Sequence, residues 1–387
     1  MSDKIMQFLA NETKGKSYKA HKYGLDHAER PFIDYGEDDN IWEGNGETRP
    51  FKKYIALEQK SIELAKRGEQ LLTYFLDGSR RVFKVDDISY NMSGRAVIYP
   101  IIAGQIGVGC CKRIDRVVSP ERFEKKIVLS VPSVADKDGK PGYLQSLTSK
   151  LNNLPELQRM GVEIGKIIPY SVSKVKDTKY EDKGTACVQD EMARMEKDMV
   201  AKLVKENKLD SENYLIKDGS LEYRPTADVV KNKRQLEIFK NNYNWVLGVS
   251  KNFNPEVCKV MDGKSNPGFI ADLPLYNRTP VFRFRNPELF GNMEFAVWYL
   301  RLHDKEKTRT AFDGIVKIEK MLVTQEENQY GVDSELIDTL SALIINERNP
   351  VCYGADLRWA NHLYPVYLTE AFVKSKYLSA ESFLHLF

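Results

Sequence analysis

Two short strand-like runs of this 387-residue chain end in the same tripeptide, Asp-Gly-Ser. The first is "LLTYFLDGSRRVFKV", which contains Asp77, and the second is "NYLIKDGSLEYR", which contains Asp218. A carboxylate just past the end of an apolar strand is held rigidly at the edge of a sheet, where open α/β folds place their sites. The glycine and serine predict a sharp turn after each strand. The competing interpretation is that both tripeptides are ordinary turns and that their aspartates have no functional role.

A helix before the second tripeptide carries further carboxylates. In "VQDEMARMEKDMVAKLVKEN", helical spacing predicts one apolar stripe, formed by Val188, Met192, Met195, Met199 and Leu203. At roughly 100° per residue, Glu196 lies about 60° from the centre of that stripe, and Glu191 lies at its edge. A carboxylate inside a packing face needs a cation or a route to solvent, because an unpaired buried charge is costly. Glu196 is therefore a candidate site residue, and a solvent-facing Glu196 is the alternative.

Convergence of Asp77, Glu196 and Asp218 would bring three like charges together, and a divalent cation would relieve their repulsion. The three ligands offer only oxygen atoms, and the chain has only five histidines. Such a ligand set favours Mg²⁺ or Mn²⁺ over zinc. Carboxylates that hold such ions are the usual apparatus of phosphodiester hydrolysis, because the metal activates water and stabilises the leaving oxygen. The three residues therefore predict a metal-dependent phosphodiesterase site.

Bulk composition limits the class of protein. The 58 basic and 55 acidic residues give a formal charge of +3, so any basic groove for nucleic acid must be local. The five cysteines are scattered without a Cys-x-x-Cys pair, which is typical of reduced thiols in a cytosolic protein. The amino terminus lacks the apolar core of a signal peptide, and no run approaches the ~20 apolar residues of a membrane span. We therefore expect a soluble cytoplasmic protein.

Strands interspersed with helices must position these carboxylates. Residues 1–50 are polar and predict a partly irregular arm, and residues 51–387 predict the main domain. Within that domain, Gly- and Lys-rich stretches between about 133 and 187 predict an insertion or a mobile connector. The β-rich runs before it predict hairpins, and runs such as "WVLGVSKN" and "FAVWYLRL" predict further strands before two C-terminal helices. This order favours an α/β or α+β domain with a mixed sheet.

In their order along the chain, these pieces resemble the NurA nucleases, a family with an RNase H-like (PIWI-like) core. The resemblance covers about Leu71 to Tyr377, apart from a divergent insert, and its main motifs are "LDGSR", "IKDGSLEYR" and "LYPVYLTEAFVKS". It implies an α/β fold with an RNase H-like mixed sheet flanked by helices, β-hairpin elaborations and an inserted connector. It also implies a DNase that uses Mn²⁺ or Mg²⁺, forms a homodimer and works with the hexameric HerA ATPase translocase. The role of such a pair is DNA end processing or anti-phage defence.

Carried over residue by residue, the resemblance makes Asp77 and Asp218 metal ligands from two strands. Glu196 matches the helical glutamate of the family, with Glu191 as the alternative, and Tyr364 matches its C-terminal tyrosine. Many relatives carry a histidine eight residues after that tyrosine, where this chain has Phe372. The last ligand is therefore missing or is supplied by a neighbour, for which the candidates are Glu370, His362 and Asp356.

Three basic residues are candidates for contact with nucleic acid. Lys251 follows the strand "WVLGVS" and offers a point charge for a phosphate, with a solvated strand end as the alternative. Arg283 and Arg285 alternate with phenylalanines and would share one face of a strand, as a stripe for the DNA backbone or as its solvated side. No Walker A sequence occurs, so ATP hydrolysis would come from a partner.

Two rival functions remain open at this stage. The departure at Phe372 is consistent with a catalytically weak or inactive adaptor that binds the translocase or DNA. An RNA-directed enzyme of the wider RNase H-like group is the second rival, since proteins distinguish RNA by its 2′-hydroxyls and groove shape.

Overall fold

The computed structural model describes residues 3–18, 20–25, 41–44, 46–136, 142–173, 179–221, 232–255, 259–260, 264–286, 293–348 and 359–387. The strands of this part of the chain are β1 (Lys16–Tyr18), β2 (Tyr23–Gly24), β3 (Ile41–Glu43), β4 (Ile55–Ala56), β5 (Leu72–Met92), β6 (Arg95–Ile114), β7 (Val117–Pro132), β8 (Ile164–Tyr170), β9 (Tyr214–Asp218), β10 (Val246–Ser250), β11 (Lys259–Val260), β12 (Lys264–Ser265), β13 (Asn277–Arg278), β14 (Phe282–Arg285), β15 (Glu294–Arg301) and β16 (Ile315–Met321). The α-helices are α1 (Asp3–Glu12), α2 (Glu58–Arg67), α3 (Tyr143–Asn152), α4 (Pro155–Met160), α5 (Tyr180–Lys205), α6 (Lys233–Asn241), α7 (Pro267–Ala271), α8 (Gln325–Tyr330), α9 (Ser334–Asn346), α10 (Tyr364–Ser375) and α11 (Ala380–Leu384).

A three-stranded antiparallel meander, β5–β6–β7, forms one half of the main sheet. The β5–β6 turn consists of Ser93 and Gly94, which both have positive φ, and such pairs close two-residue hairpins because their twist matches that of the strands. Strand β8 pairs parallel to β7. The hairpins predicted in this region are therefore present, as two long hairpins that share β6.

The other half of the sheet begins with two parallel additions. Strand β9 pairs parallel to β5, and β10 pairs parallel to β9. Beyond β10, strands β16, β15 and β14 follow as antiparallel neighbours. The main strand order is β3-β14-β15-β16-β10-β9-β5-β6-β7-β8.

Helices cover both faces of this sheet. On the first, Val188 of α5 packs with Leu76 and Val108 in one core cluster, and we call this side the α5 face. On the second, Val366 of α10 packs with Phe75 and Ile216 in another cluster, and we call this side the α10 face. The predicted α/β class, with a mixed sheet flanked by helices, is confirmed.

Glycines of β6 admit the helices on both faces. An added Cβ at Gly104 would come within 2.6 Å of Val188, and one at Gly107 would come within 2.8 Å of Val373. Successive side chains of a strand point to opposite faces, so even-numbered positions here face α5 and odd-numbered positions face α10. The close approach of both helices therefore requires glycine, which has no side chain, at these two positions.

One prediction about local structure is wrong, and the structure adds detail to two others. The strand that contains Asp77 does not end there, because β5 continues to Met92, so the first tripeptide lies within a strand. The described residues between 133 and 187 form α3, α4, β8 and the start of α5, so this segment extends the sheet. The described residues of the predicted arm contain α1 and three short strands.

Candidate active site on the α10 face of the sheet

Asp77 and Asp218 lie on the two central parallel strands. Leu76 of β5 pairs with Lys217 of β9, so the next residue of each strand carries one of the two aspartates. Asp218 is the last residue of β9 and pairs with Val249 of β10. Strand alternation places both carboxylates on the α10 face, together with Phe75 and Ile216.

Asp77 is a buried carboxylate among other carboxylates. Its residue is 5% exposed. Burial raises its pKa well above the usual range, and the charges of Asp218, Glu370 and Glu196 raise it further, against an opposing contribution from Lys251. Such electrostatic stress on a carboxyl group is characteristic of functional sites.

Lys251 and Glu370 complete this cluster. The Lys251 ammonium lies 2.9 Å from Asp218 Oδ2 and 3.7 Å from Glu370 Oε2, and its side chain is 8% exposed. Burial raises the pKa of Glu370, but Lys251 and the hydrogen bond from Lys374 outweigh burial and hold that pKa below its usual value. Glu370 comes from α10, so the cluster draws on four parts of the chain, namely β5, β9, the end of β10 and α10.

The end of β10 that carries Lys251 is fixed by a buried amide. Asn361 Nδ2 donates to the Lys251 carbonyl at 2.8 Å and to the Ile315 carbonyl at 3.0 Å. Asn361 Oδ1 accepts from the Gly314 amide at 2.6 Å. These bonds tie β10 to β16 and hold the backbone from which the Lys251 side chain reaches Asp218.

Glu196 lies on the other side of the sheet. It contacts Gly78, where an added Cβ would overlap its carboxylate, and Gly78 alternates with Asp77 to face α5. Its Oε2 lies 3.2 Å from the Lys217 ammonium. The structure therefore brings Glu196 close to the two strands but on the α5 face.

Glu191, the alternative helical ligand, is surrounded by three cations. Its carboxylate accepts from Lys126 at 2.8 Å, from Lys166 at 2.9 Å and from Arg194 at 2.6 Å. Although burial raises its pKa, these hydrogen bonds outweigh burial and lower the pKa to about 2. Its charge is already compensated.

The other positions that the sequence comparison singled out have surroundings of their own. Tyr364 begins α10 and is 47% exposed, and His362 is buried against the Tyr367 ring. Phe372 packs edge-to-face on Phe123 of β7, so the position that departs from the family pattern belongs to the packing of α10. Asp356 lies outside the described residues.

The two arginines proposed as a DNA stripe make intramolecular contacts. Arg283 donates to the carbonyls of Glu327 and Asn328 and pairs with Glu294 at 3.2 Å. Arg285 pairs with Glu43 at 2.8 Å.

Sequence reasoning missed three residues that surround the central strands. Tyr377 lies against Gly107, and burial, with a further contribution from Asp77, raises the pKa of its hydroxyl. Lys217 and Glu319 are buried ions on the α5 face. Lys217 adjoins Asp218 in sequence and could have been noticed, whereas no local pattern marks Tyr377 or Glu319.

The donor set of the α10 face has the chemistry of a hard-cation site. Asp77, Asp218 and Glu370 supply only carboxylate oxygens, the class of ligand that Mg²⁺ and Mn²⁺ prefer. Among the described residues, no three His, Cys, Asp or Glu side chains are placed to enclose one metal ion. The donor chemistry thus fits a divalent ion, and the side chains would have to turn toward it from the positions in which Lys251 engages two of them.

Within the described part of the chain, none of the helices combines the length and the apolar character needed to cross a membrane. Cys110, Cys111 and Cys187 are free thiols whose pKa values are raised by burial.

Comparisons with known proteins find distant similarity among solved structures. No family profile and no curated protein matches the chain. The crystal structure of the NurA nuclease from Sulfolobus solfataricus is similar to it at 10% sequence identity and a TM-score of 0.39, over 82% of this chain and 88% of that chain. A likeness this distant assigns no residue a role, so the roles given below rest on side-chain geometry.

Proposed function

We propose that this chain is a metal-dependent deoxyribonuclease with its active site on the α10 face. The observation that carries the proposal is the buried Lys251 ammonium between Asp218 and Glu370, beside the buried Asp77 carboxyl whose pKa both of these carboxylates raise. Repelling carboxylates persist in a fold only where the surrounding structure enforces them, and such strain is concentrated at functional sites.

The order of the central strands supports an RNase H-like core. An antiparallel meander, β5–β6–β7, is followed by helix α5 and by two strands added parallel to the first, giving the order β7-β6-β5-β9-β10. In this arrangement the first and fourth of these strands are neighbours, and they carry Asp77 and Asp218.

The residues have distinct roles in the proposed site. Asp77, Asp218 and Glu370 would hold Mn²⁺ or Mg²⁺, which when bound supplies an activated water and stabilises the leaving oxygen. Lys251 holds Asp218 and Glu370 in place through its ammonium. The same ammonium offers a positive charge to a scissile phosphate.

The biological setting remains a set of predictions. The sequence resemblance implies a homodimer and a HerA-type ATPase that delivers DNA ends. These expectations complete the proposal, and repair and anti-phage defence are both compatible with it.

The decisive experiment compares DNA degradation by matched variants. Linear and circular duplex DNA are incubated with Mn²⁺, Mg²⁺ or EDTA and with wild type, Asp77→Asn or Asp218→Asn. We expect metal-dependent cleavage by the wild type and a loss of about 100-fold or more in each variant, because each removes a carboxylate ligand. Asp86→Asn is the control, since Asp86 is as buried on the same strand but bonds to Ser17 instead.

Other outcomes would redirect the proposal. Cleavage that survives both substitutions would place the active site elsewhere. An inactive wild type is tested again with a HerA-type partner and ATP, and a second negative result would favour the adaptor. Parallel RNA and RNA–DNA hybrid substrates test the RNA-directed rival.

A further inference from the structure

The backbone that follows Asp218 makes a sharp turn over the end of β9. Gly219 has a φ of +86°, which glycine adopts without the strain that other residues incur. Its amide donates to the Val249 carbonyl at 2.9 Å. The direction of the Asp218 side chain depends on this turn, because Asp218 is the residue from which it starts.

Two buried ions of the α5 face bond directly to this turn. Lys217 Nζ donates to the Ser220 carbonyl at 3.0 Å. Glu319 of β16 accepts from the Ser220 hydroxyl at 2.8 Å and from the Leu221 amide at 2.6 Å. The turn is thus held from its own strand and from a second strand, through both backbone and side-chain groups of the tripeptide.

Glu196 engages this system through Lys217. Its carboxylate lies 3.2 Å from the Lys217 ammonium and against the bare Gly78, and the side chains of both ions are at most 7% exposed. A buried lysine beside a buried glutamate is stabilised by the pairing, and removal of either ion takes away part of the charge that compensates the other. Helix α5 therefore supplies the counter-charge that keeps Lys217 aimed at Ser220.

We propose that Glu196, Lys217 and Glu319 form a clamp that positions Asp218, and that Glu196 acts through Lys217 rather than as a metal ligand. Glu196 lies on the α5 face, whereas Asp77 and Asp218 lie on the α10 face, so the sheet separates the clamp from the carboxylates it serves. The inference rests on the proposed function only in naming Asp218 as a ligand. The clamp itself is a property of the fold.

Metal binding separates a positioning role from a ligand role. Mn²⁺ affinity of the whole chain is measured without DNA, from the electron paramagnetic resonance signal of free Mn²⁺. We expect Asp77→Asn and Asp218→Asn to weaken binding by about 100-fold or more, and Glu196→Gln, which acts on the ligand through Lys217, to weaken it by about tenfold or less. Glu191→Gln, which removes an equally buried carboxylate from the same helix, is the matched control. A Glu196→Gln variant that loses as much affinity as Asp218→Asn would overturn the proposal.

A double variant tests the route through Lys217. If Glu196 acts only by aiming Lys217, Glu196→Gln combined with Lys217→Met lowers cleavage no further than Lys217→Met does alone. Additive losses would mean that Glu196 acts independently, and would overturn the proposal. Circular dichroism of each variant shows whether it is folded.

Amide hydrogen exchange tests the clamp by a measurement that does not depend on enzymatic activity. We expect peptides that cover residues 214–221 to exchange about fivefold faster in Glu319→Gln, Lys217→Met and Glu196→Gln than in wild type, because the amides of Gly219 and Leu221 lose protection. Glu191→Gln, whose carboxylate bonds to Lys126, Lys166 and Arg194, shows the increase that a loss of global stability alone produces, and the three clamp variants should exceed it in these peptides. Unchanged exchange in all three clamp variants would refute the clamp. A wild type that binds no Mn²⁺ and cleaves no DNA would instead refute the proposed function and leave this measurement decisive for the clamp.

Discussion

Asp77 and Glu191 are both buried carboxylates near the central strands, and their surroundings have opposite charge. Asp77 lies on the α10 face with Asp218 and Glu370, and its pKa is raised by burial and by the charges of Asp218, Glu370 and, across the sheet, Glu196, against an opposing contribution from Lys251. Glu191 is held by Lys126, Lys166 and Arg194, and its pKa is lowered to about 2 because their hydrogen bonds outweigh burial. The difference in surrounding charge means that ionised Glu191 stabilises the fold, whereas ionised Asp77 destabilises it and is held in place by the rest of the structure.

The largest expected effect is the loss of stability in Glu191→Gln. The lowered pKa corresponds to about 2–3 kcal/mol of stabilisation at neutral pH, after allowance for the partly exposed cations. Urea unfolding at pH 7 should show this decrease in the free energy of unfolding. A decrease below about 0.5 kcal/mol would contradict the assignment of Glu191 to a stabilising cluster.

The same stabilisation should disappear in acid. A carboxyl whose folded pKa lies below its unfolded value stabilises the fold above the unfolded pKa and ceases to do so as the pH falls through the folded one. The difference in unfolding free energy between wild type and Glu191→Gln should therefore be constant above about pH 5 and shrink between about pH 4.5 and 2. Unfolding curves at several pH values in this window measure it.

Asp77→Asn should change stability in the opposite direction. A raised folded pKa means that the ionised form of Asp77 opposes folding at neutral pH, and that this cost is relieved as the pH falls. Removal of the charge should raise the free energy of unfolding at pH 7 by about 0.5–2 kcal/mol, while DNA cleavage is lost. Asp86→Asn serves as the control for a buried aspartate outside the carboxylate cluster. A destabilised Asp77→Asn would show that Asp77 is compensated in solution.

The smallest effect is expected for a single cation around Glu191. Lys166 is 45% exposed, and Lys126 and Arg194 remain when it is replaced. Lys166→Gln should therefore lower the free energy of unfolding by less than about 1 kcal/mol. A loss as large as that of Glu191→Gln would mean that Lys166 alone compensates the carboxylate.

Local patterns in the sequence identify the two aspartates but do not predict the backbone conformation that follows each of them. The sequence predicts that both tripeptides end strands, which is right for Asp218, where Gly219 turns with positive φ, and wrong for Asp77. Gly78 is needed for a different reason, the close approach of Glu196, and no local pattern distinguishes a glycine that turns from one that admits a neighbour.

The choice between the helical glutamates depended on contacts that the sequence does not show. The lysines that compensate Glu191 come from β7 and β8, and Lys217, which pairs with Glu196, comes from β9. Helical periodicity places both glutamates on or near the packing face but carries no information about which cations the sheet presents there. Partners from distant strands therefore decide the role of each.

The parallel pairing of β5 with β9 also fixes when the two aspartates meet during folding. The meander that carries Asp77 is closed by two-residue turns, whereas Leu72 and Tyr214, which begin the parallel pair, are separated by more than a third of the chain. Contacts of high sequence separation form late, because the loop between them must be closed first. We therefore expect the hairpin to collapse before Asp218 arrives. Asp77 and Asp218 then meet late, when most native contacts have already formed and can hold the two carboxylates together. Their repulsion therefore slows the last steps of folding rather than its nucleation.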